Sequence, residues 1–214
     1  MSIDREKQLA AEAAAVLVKD GMTVGLGTGS TVAFLLPALA ARRLAIRCVA
    51  TSVRTQQKAT ELGLEVELVD TLDHLDIAID GTDQVTPDGW LIKGGGGAHT
   101  REKIVAASAA RFVIIGDSTK PVDVLRPPVP LELLTFGLPA TLRELTHAVI
   151  REGWPASPDG GIIADYTGPI EDPAELAARL SATPGVVGHG LFEPSFTADV
   201  FIARGESVEH RTLH

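Results

Sequence analysis

Short apolar runs alternate with amphipathic segments through the first 125 residues of the chain. Each run is short enough for a strand, and its continuous apolar character is typical of a strand that is buried on both faces. Between the runs, apolar residues recur at helical spacing, as Leu9, Ala13 and Val16 do in the first segment. The pattern predicts strands at 23–26, 46–50, 66–69, 77–79 and 112–115, and helices at 4–19, 30–42, 53–62 and 102–110.

The repeated alternation predicts an α/β fold, with a mostly parallel sheet and helices on both of its faces. In open sheets of this kind, ligands bind beside the carboxyl ends of the strands. The segments at 27–31, 51–54, 80–83 and 117–120 each follow a predicted strand. We therefore expect these four segments to lie along one edge of the sheet, although they are far apart in the sequence.

A proline-rich segment, Arg126-Pro-Pro-Val-Pro130, interrupts the alternation and is typical of a domain boundary. Beyond it, the pattern predicts helices at 138–151 and 173–180, short strands at 161–164 and 186–187, and a strand at 199–203 that returns to the first sheet. We therefore expect a larger domain of residues 1–125 and 196–214. Residues 126–195 would form a smaller α+β domain, where an oligomer contact is possible.

Composition and charge narrow the class of protein. The content of 45% hydrophobic and 22% charged residues is ordinary for a globular chain, and the net charge of -9 argues against nucleic acid as a partner. Residues 1–7 lack the apolar core of a secretory signal, and Pro37 interrupts the longest apolar run, so no membrane association is expected. The single cysteine, Cys48, lies in an apolar run and is expected to be a buried thiol. These features favour a cytoplasmic protein.

A glycine-rich loop, Gly25-Leu-Gly27-Thr-Gly29-Ser-Thr31, lies between a predicted strand and a predicted helix. Free backbone N–H groups and the helix dipole suit such a loop to an anion, and Ser30 is also a good helix N-cap. Neither nucleotide signature fits, because the Gly-Lys-Ser/Thr ending and an acidic residue about 20 positions on are both absent. A tight turn without a ligand is the alternative.

Charged residues crowd two further glycine-rich turns, in Asp80-Gly-Thr-Asp83 and in Lys93-Gly-Gly-Gly-Gly-Ala-His-Thr-Arg-Glu102. Glycine lets a backbone approach a ligand closely, while the carboxylates and the ammonium offer proton acceptors and a charge clamp. Each residue also has a simpler interpretation: an Asx-turn for Asp80, a solvated loop for Lys93 and a favourable helix dipole for Glu102. The combination predicts an active site.

The six histidines, at positions 74, 99, 147, 189, 210 and 214, show no close spacing of the kind that metal sites use. We therefore expect no metal. His99 is interpreted as a polar neighbour of the site, and His189 as a possible interface residue.

The order and spacing of the motifs resemble those of ribose-5-phosphate isomerase of type A. The motifs that carry the resemblance are Gly27-Thr-Gly29-Ser-Thr31, Thr51-Ser52, Asp80-Gly-Thr-Asp83, Lys93-Gly-Gly-Gly-Gly-Ala98, Thr100-Arg-Glu102-Lys103, Asp117-Ser-Thr-Lys120 and Pro184-Gly-Val-Val187. The resemblance spans nearly the whole chain. It implies a Rossmann-like catalytic domain, no cofactor, and a homodimer or homotetramer.

The resemblance also implies an activity, the interconversion of D-ribose 5-phosphate and D-ribulose 5-phosphate through an enediolate. Glu102 would be the general base, and Asp80, Asp83 and Lys93 would assist proton transfer and stabilise the oxyanion. The substrate-binding residues implied are Thr28, Gly29, Ser30, Thr31, Asp80, Gly81, Thr82, Asp83, Lys93, Gly94, Gly95, Gly96 and Lys120. Lys7 is a weaker candidate for the phosphate.

Departures from the family pattern leave the proposed catalytic groups intact. Gln84 replaces a common glutamate, Gly97 and His99 replace an alanine and an apolar residue, and the segment at 162–173 looks shortened. Two other functions stay open: an amino-sugar-phosphate deaminating isomerase, which would need a catalytic histidine, and a non-catalytic sugar-phosphate-binding module.

Overall fold

A computed structural model describes residues 2–71 and 74–213 of the chain. The first half of these residues contains six strands and four helices. The strands are β1 (Thr23–Leu26), β2 (Arg47–Ala50), β3 (Glu65–Glu67), β4 (Ile77–Gly81), β5 (Gln84–Val85) and β6 (Leu91–Ile92). The helices are α1 (Ile3–Ala15), α2 (Val32–Ala41), α3 (Val53–Glu61) and α4 (His99–Ser108).

The second half adds eight strands and two helices to the described chain. The strands are β7 (Phe112–Gly116), β8 (Val129–Leu133), β9 (Ala148–Ile150), β10 (Ile162–Tyr166), β11 (Val186–His189), β12 (Leu191–Phe192), β13 (Thr197–Arg204) and β14 (Ser207–Thr212). The helices are α5 (Leu138–Glu144) and α6 (Pro173–Ala182). Short 3₁₀ turns lie at Val69–Thr71 and Pro194–Phe196.

The main sheet has seven strands in the order β14-β13-β7-β4-β1-β2-β3, and only β14 runs antiparallel to its neighbour. The predicted α/β fold with a mostly parallel sheet is confirmed. The central strands β1 and β7 are buried along their whole length, which explains their continuous apolar sequence. The strand predicted at 199–203 does return to this sheet, where β13 pairs in parallel with β7.

Residues 129–189 form a second, antiparallel sheet in the order β11-β8-β10-β9. Leu131, Leu133, Tyr166 and Leu180 are among the buried side chains of its own core, and the last of these lies on α6. A small third sheet, β12-β6-β5, pairs the two strands that follow β4 with the strand that leads from the second sheet back to the main one.

The structure corrects several predicted boundaries. The helix predicted over 138–151 ends at Glu144, and Ala148–Ile150 instead forms β9, because its residues pair with Ala164, Asp165 and Tyr166 on β10. Sheet pairing overrides local helical spacing here. Helix α1 ends at Ala15, short of the predicted residue 19, and α4 begins at His99, three residues before the predicted start.

Two smaller corrections concern the first sheet. Ser30 is not the N-cap of α2, since the cap is Thr31 and no side chain accepts a capping hydrogen bond there. The strand predicted at 66–69 is Glu65–Glu67 and gives way to the 3₁₀ turn Val69–Thr71. The segment at 162–173, which looked shortened, forms β10 and the turn that leads to α6.

Cys48 is fully buried, and burial, followed by the charge of Glu65, raises the pKa of its thiol to about 12. None of the helices within the described residues is both long and apolar enough to cross a membrane.

The carboxylate of Glu6 joins three distant segments of the chain. It lies on α1, is buried, and accepts hydrogen bonds from the backbone N–H groups of Ser118 (2.9 Å) and Gly205 (2.8 Å). It thereby connects the first helix with the β13–β14 turn and with the loop that leads to Lys120. The Ser118 side chain and these two backbone donors lower the pKa of Glu6 to about 2.

The lowered pKa of Glu6 predicts how stability depends on acid. Because the folded-state pKa lies below the ordinary 4.5, the Glu6 contribution is present above pH 4.5 and is lost as the pH falls toward 2. Urea denaturation from pH 5 to pH 2.5 should show a steeper loss of unfolding free energy for the wild type than for Glu6→Gln. Parallel curves for the two proteins would contradict this role. Glu12→Gln, on the same helix, is the control.

Candidate active site

The loops at the carboxyl ends of β1, β4 and β7 meet the glycine-rich segment after β6 around one open cleft. The residues that line it are Thr28, Gly29, Ser30, Thr31, Gly81, Thr82, Asp83, Lys93, Gly94, Gly95, Gly96, Glu102 and Lys120. The structure therefore brings together every site residue predicted from the sequence, with Asp80 lying directly behind this lining.

A buried cluster of three charged side chains forms the floor of the cleft. The Lys93 ammonium lies 2.9 Å from Asp80 Oδ2 and 3.3 Å from Glu102 Oε2, and it also donates to the Gly81 carbonyl. All three side chains are at most 4% exposed. Low exposure strengthens the interactions among these charges, because little water screens them.

Asp80 fixes the position of the cluster relative to the backbone. Its Oδ1 accepts hydrogen bonds from the N–H groups of Thr28 (3.0 Å) and Gly81 (2.7 Å). The carboxylate packs so closely against Gly27 that a Cβ at this position would lie 2.0 Å from Asp80 Cγ. The glycine at position 27 is thus required by the close approach of Asp80, as well as by the turn.

The environment shifts the pKa values of all three groups. Burial, together with the negative charge of Asp80, raises the pKa of Glu102 to about 8, although Lys93 opposes the shift. Burial also raises the pKa of Asp80. Lys93 loses solvation as well, but the charges of Asp80 and Glu102 outweigh that loss and raise its pKa to about 12. At neutral pH Lys93 is therefore a cation, and Glu102 is a carboxyl that readily exchanges a proton.

Asp83 connects the aspartate turn to the glycine-rich turn. Its Oδ2 accepts a hydrogen bond from the N–H of Gly95 at 2.8 Å. Residues 94–97 form a β-turn in which the Gly97 N–H donates to the Gly94 carbonyl at 2.9 Å. Asp83 thus faces the cleft while it holds one corner of the turn.

His99 is placed behind the glycine-rich turn and does not line the cleft. Gly94 has a φ of 98°, and a Cβ there would lie 2.7 Å from the His99 ring. The imidazole is fully buried, and burial lowers its pKa to about 4, so it stays neutral. His99 therefore packs against the turn, and its ring is not positioned to act as a second base in the cleft.

The loop at 27–31 forms a further wall of the cleft, next to Asp80. Thr55 Oγ1 donates to the Gly27 carbonyl at 2.9 Å, and Thr51 Oγ1 lies 2.7 Å from Thr28 Oγ1. Helix α2 begins directly after this loop, so its N-terminal dipole favours an anion there, and Lys120 contributes an ammonium from the loop after β7. Lys7 is not among the lining residues and its ammonium lies 3.6 Å from Asp4.

Sequence reasoning missed two groups that support the site from outside. Lys103 Nζ donates to the Leu191 carbonyl at 2.8 Å and lies 4.9 Å from the centre of the Phe192 ring, while Lys93 Nζ lies 5.6 Å from the same ring. Burial lowers the pKa of Lys103 to about 8. Lys103 thus joins helix α4, which carries Glu102, to β12. Its place next to Glu102 in the sequence was the available signal.

The second group comes from the antiparallel sheet. Arg151 donates to the Gly95 carbonyl at 3.0 Å and is held by a two-fold hydrogen bond to Asp165, at 2.7 Å from each carboxylate oxygen. No sequence signal distinguishes this arginine from a surface residue, because its partner carbonyl is 56 positions away.

The candidate metal ligands of the chain are dispersed through the described residues. Within residues 2–71 and 74–213, no three His, Cys, Asp or Glu side chains are grouped so that they could hold a metal ion. Of the six histidines, His214 lies outside the described residues.

The matching family model and the curated relatives indicate the same protein family. The family model for ribose 5-phosphate isomerase A (phosphoriboisomerase A) matches residues 47–207. A curated ribose-5-phosphate isomerase A from Roseiflexus castenholzii is 46% identical over 202 residues, covering 87% of this chain and 86% of the relative.

Solved structures agree with the sequence relatives. Ribose 5-phosphate isomerase A from Neisseria gonorrhoeae superposes with a TM-score of 0.95 at 30% identity, covering 100% of this chain and 98% of that one. A D-ribose-5-phosphate isomerase in complex with phospho-erythronic acid superposes with a TM-score of 0.94 at 32% identity, covering 99% and 100%. Because the family model matches residues 47–207 and these relatives are covered over 86% to 100% of their own length, the chain belongs to the ribose 5-phosphate isomerase A family.

Proposed function

We propose that the chain interconverts D-ribose 5-phosphate and D-ribulose 5-phosphate, with Glu102 as the general base. The observation that carries the proposal is the buried contact of Glu102 and Asp80 with a single ammonium, Lys93, in a cleft. The same cleft is also lined by backbone N–H groups, hydroxyls and the Lys120 ammonium. A sugar phosphate has matching groups, a dianion and a carbonyl whose neighbouring carbon must lose a proton.

Proton transfer between carbon atoms 1 and 2 is the central step. In the aldose-to-ketose direction, the Glu102 carboxylate takes the proton from C2, and the electron pair moves to form the enediolate. The resulting carboxylic acid returns the proton to C1, while a proton moves between the two oxygens. A carboxyl group with a pKa of about 8 suits both halves of this cycle, because it accepts and releases a proton near neutral pH.

The negative charge that develops on the substrate oxygen needs a fixed cation. Lys93 remains protonated because Asp80 and Glu102 raise its pKa to about 12, so its ammonium is available at any physiological pH. A cation held in place before the reaction stabilises the enediolate without a reorganisation of solvent. Asp80 and Asp83 are proposed to assist ring opening and the transfer of hydroxyl protons.

The phosphate is proposed to bind at Thr28–Thr31 and Lys120, remote from the reacting carbons. Its binding free energy would position the sugar without taking part in the bond changes. Support comes from the helix N-terminus behind the loop and from the ammonium beside it.

The two alternative functions have less support. A deaminating isomerase needs a catalytic histidine, whereas His99 is buried behind the glycine turn and does not line the cleft. A binding module would not need a buried carboxyl with a raised pKa. Ammonia release from glucosamine 6-phosphate, or tight binding of ribose 5-phosphate without turnover, would favour one of them instead.

The arrangement of the chain leads to further proposals. We propose that residues 1–125 and 196–214 act as the catalytic domain and residues 126–195 as a smaller domain, because the two larger sheets divide the chain in this way. A homodimer or homotetramer and a cytoplasmic location remain predictions. Light scattering on the purified protein tests the first, and cell fractionation tests the second.

The primary test is turnover itself. The purified chain, mixed with ribose 5-phosphate in the presence of a chelator, should produce ribulose 5-phosphate, which is followed by its ultraviolet absorbance or by NMR. The chelator removes contaminating metal-dependent activities. Absence of turnover at several pH values would refute the proposed function.

Replacement of the base should separate binding from chemistry. Glu102→Gln keeps the shape of the side chain but cannot accept a proton, so kcat should fall by at least about 100-fold while binding of phospho-erythronic acid persists. Steady-state kinetics and calorimetry measure the two effects. Glu61→Gln, an exposed change on α3, is the matched control. Near-normal turnover by Glu102→Gln would remove this residue from the base role.

The pH profile reports the ionisation of Glu102. Since the base must be a carboxylate, kcat/KM should rise with pH through about 8, where Glu102 loses its proton. The second ionisation of a phosphate monoester lies lower, near about 6, and can be distinguished from this rise. In Lys93→Met the midpoint should move to higher pH, because the cation that stabilises the carboxylate is gone. A flat profile between pH 6.5 and 9 would contradict the assignment.

A further inference from the structure

The central peptide of the glycine-rich turn, between Gly95 and Gly96, is oriented by a residue of the antiparallel sheet. In the 94–97 β-turn, the closing hydrogen bond joins Gly97 N–H to the Gly94 carbonyl, so the central peptide has no partner within the turn. Its carbonyl, that of Gly95, accepts a hydrogen bond from Arg151 Nη1 at 3.0 Å. Arg151 itself does not line the cleft.

Arg151 is held rigidly enough to define that orientation. Its other guanidinium nitrogens donate to both oxygens of Asp165 at 2.7 Å, and the side chain is 15% exposed. The guanidinium also lies 5.2 Å from the centre of the Trp154 ring. A fork of this kind fixes the plane and the direction of the third donor, which a lysine ammonium cannot do.

The orientation of the carbonyl determines that of the N–H on the same peptide. The Gly95–Gly96 bond is trans, so its N–H points away from its C=O. The carbonyl is directed at Arg151, outside the cleft, while Gly96 lines the cleft on the side that faces Thr28. Within the described residues, the Gly96 N–H has no hydrogen-bond acceptor.

We propose that Arg151, held by Asp165, is a positioning residue that turns the Gly96 N–H into the cleft as a hydrogen-bond donor to the oxyanion formed at the reacting end of the substrate. The role rests on the proposed isomerase function and adds a second fixed donor beside Lys93. The Gly95 N–H already donates to Asp83, and the Gly95 carbonyl accepts from Arg151. The turn is therefore held by both side chains.

The test compares Arg151→Ala, Arg151→Lys and Asp165→Asn with the wild type. Misplacement of the donor should lower kcat of Arg151→Ala by about 10- to 100-fold. The KM for ribose 5-phosphate should stay within about threefold, because the donor is needed by the oxyanion in the transition state more than by the bound substrate. The kcat values of Arg151→Lys and Asp165→Asn should lie between those of the wild type and Arg151→Ala. Millimolar guanidinium should restore part of the activity of Arg151→Ala.

A binding experiment tests the donor separately from turnover. Phospho-erythronic acid places a carboxylate where the oxyanion would form, so its affinity should fall with the loss of Arg151, while the affinity for inorganic phosphate should not change. If the wild type binds both ligands but does not turn over ribose 5-phosphate, the proposed isomerase function fails while this comparison still tests the donor.

Arg47→Ala removes a similar two-fold pair, with Glu67, at the amino end of β2 and should leave the kinetics unchanged. The inference is overturned if kcat of Arg151→Ala stays within about twofold of the wild type. It is also overturned if phosphate affinity and the melting temperature fall together with kcat, which would indicate general loosening. Should Arg151→Ala not fold, Arg151→Lys and Asp165→Asn carry the same comparison.

Discussion

The structure depends on one buried ammonium that is shared by two carboxylates. Lys93 contacts Asp80 and Glu102 at once, and its removal would leave two carboxyl groups without a cation in a site with almost no access to water. Burial raises the pKa of both carboxyl groups, the charge of Asp80 adds to the rise for Glu102, and the two carboxyl groups keep the lysine protonated. The same contacts that constrain the fold therefore set the proton affinity of the proposed base.

The sheet topology explains how residues from separate parts of the chain reach this cluster. Strand β4 delivers Asp80, the loop after β6 delivers Lys93, and the first turn of α4 delivers Glu102. Backbone donors at Thr28 and Gly81 then hold Asp80 in place. Each position is fixed by a strand end or a helix start, so the geometry is set by regular structure and little of it depends on a long loop.

Sequence patterns were sufficient for much of this arrangement. Continuous apolar strands and glycine-rich turns predicted the parallel sheet and the edge where Thr28, Asp83 and Lys120 meet, because both signals are local. Pairing between distant segments was not predictable in the same way. Ala148–Ile150 became a strand only because β10 lies beside it, and the contact between Arg151 and Gly95 depends on how the second sheet packs.

The place of β13 in the main sheet has a consequence for the order in which the protein is made. This strand lies between β7 and β14, yet it follows the whole antiparallel sheet in the chain. On the ribosome, β7 must therefore wait with an unpaired, apolar edge until about 80 further residues have been synthesised, at about 5 to 20 residues per second. During that interval, of several seconds, the open edge of β7 can pair with a strand of another chain, and a chaperone that covers the edge would prevent this.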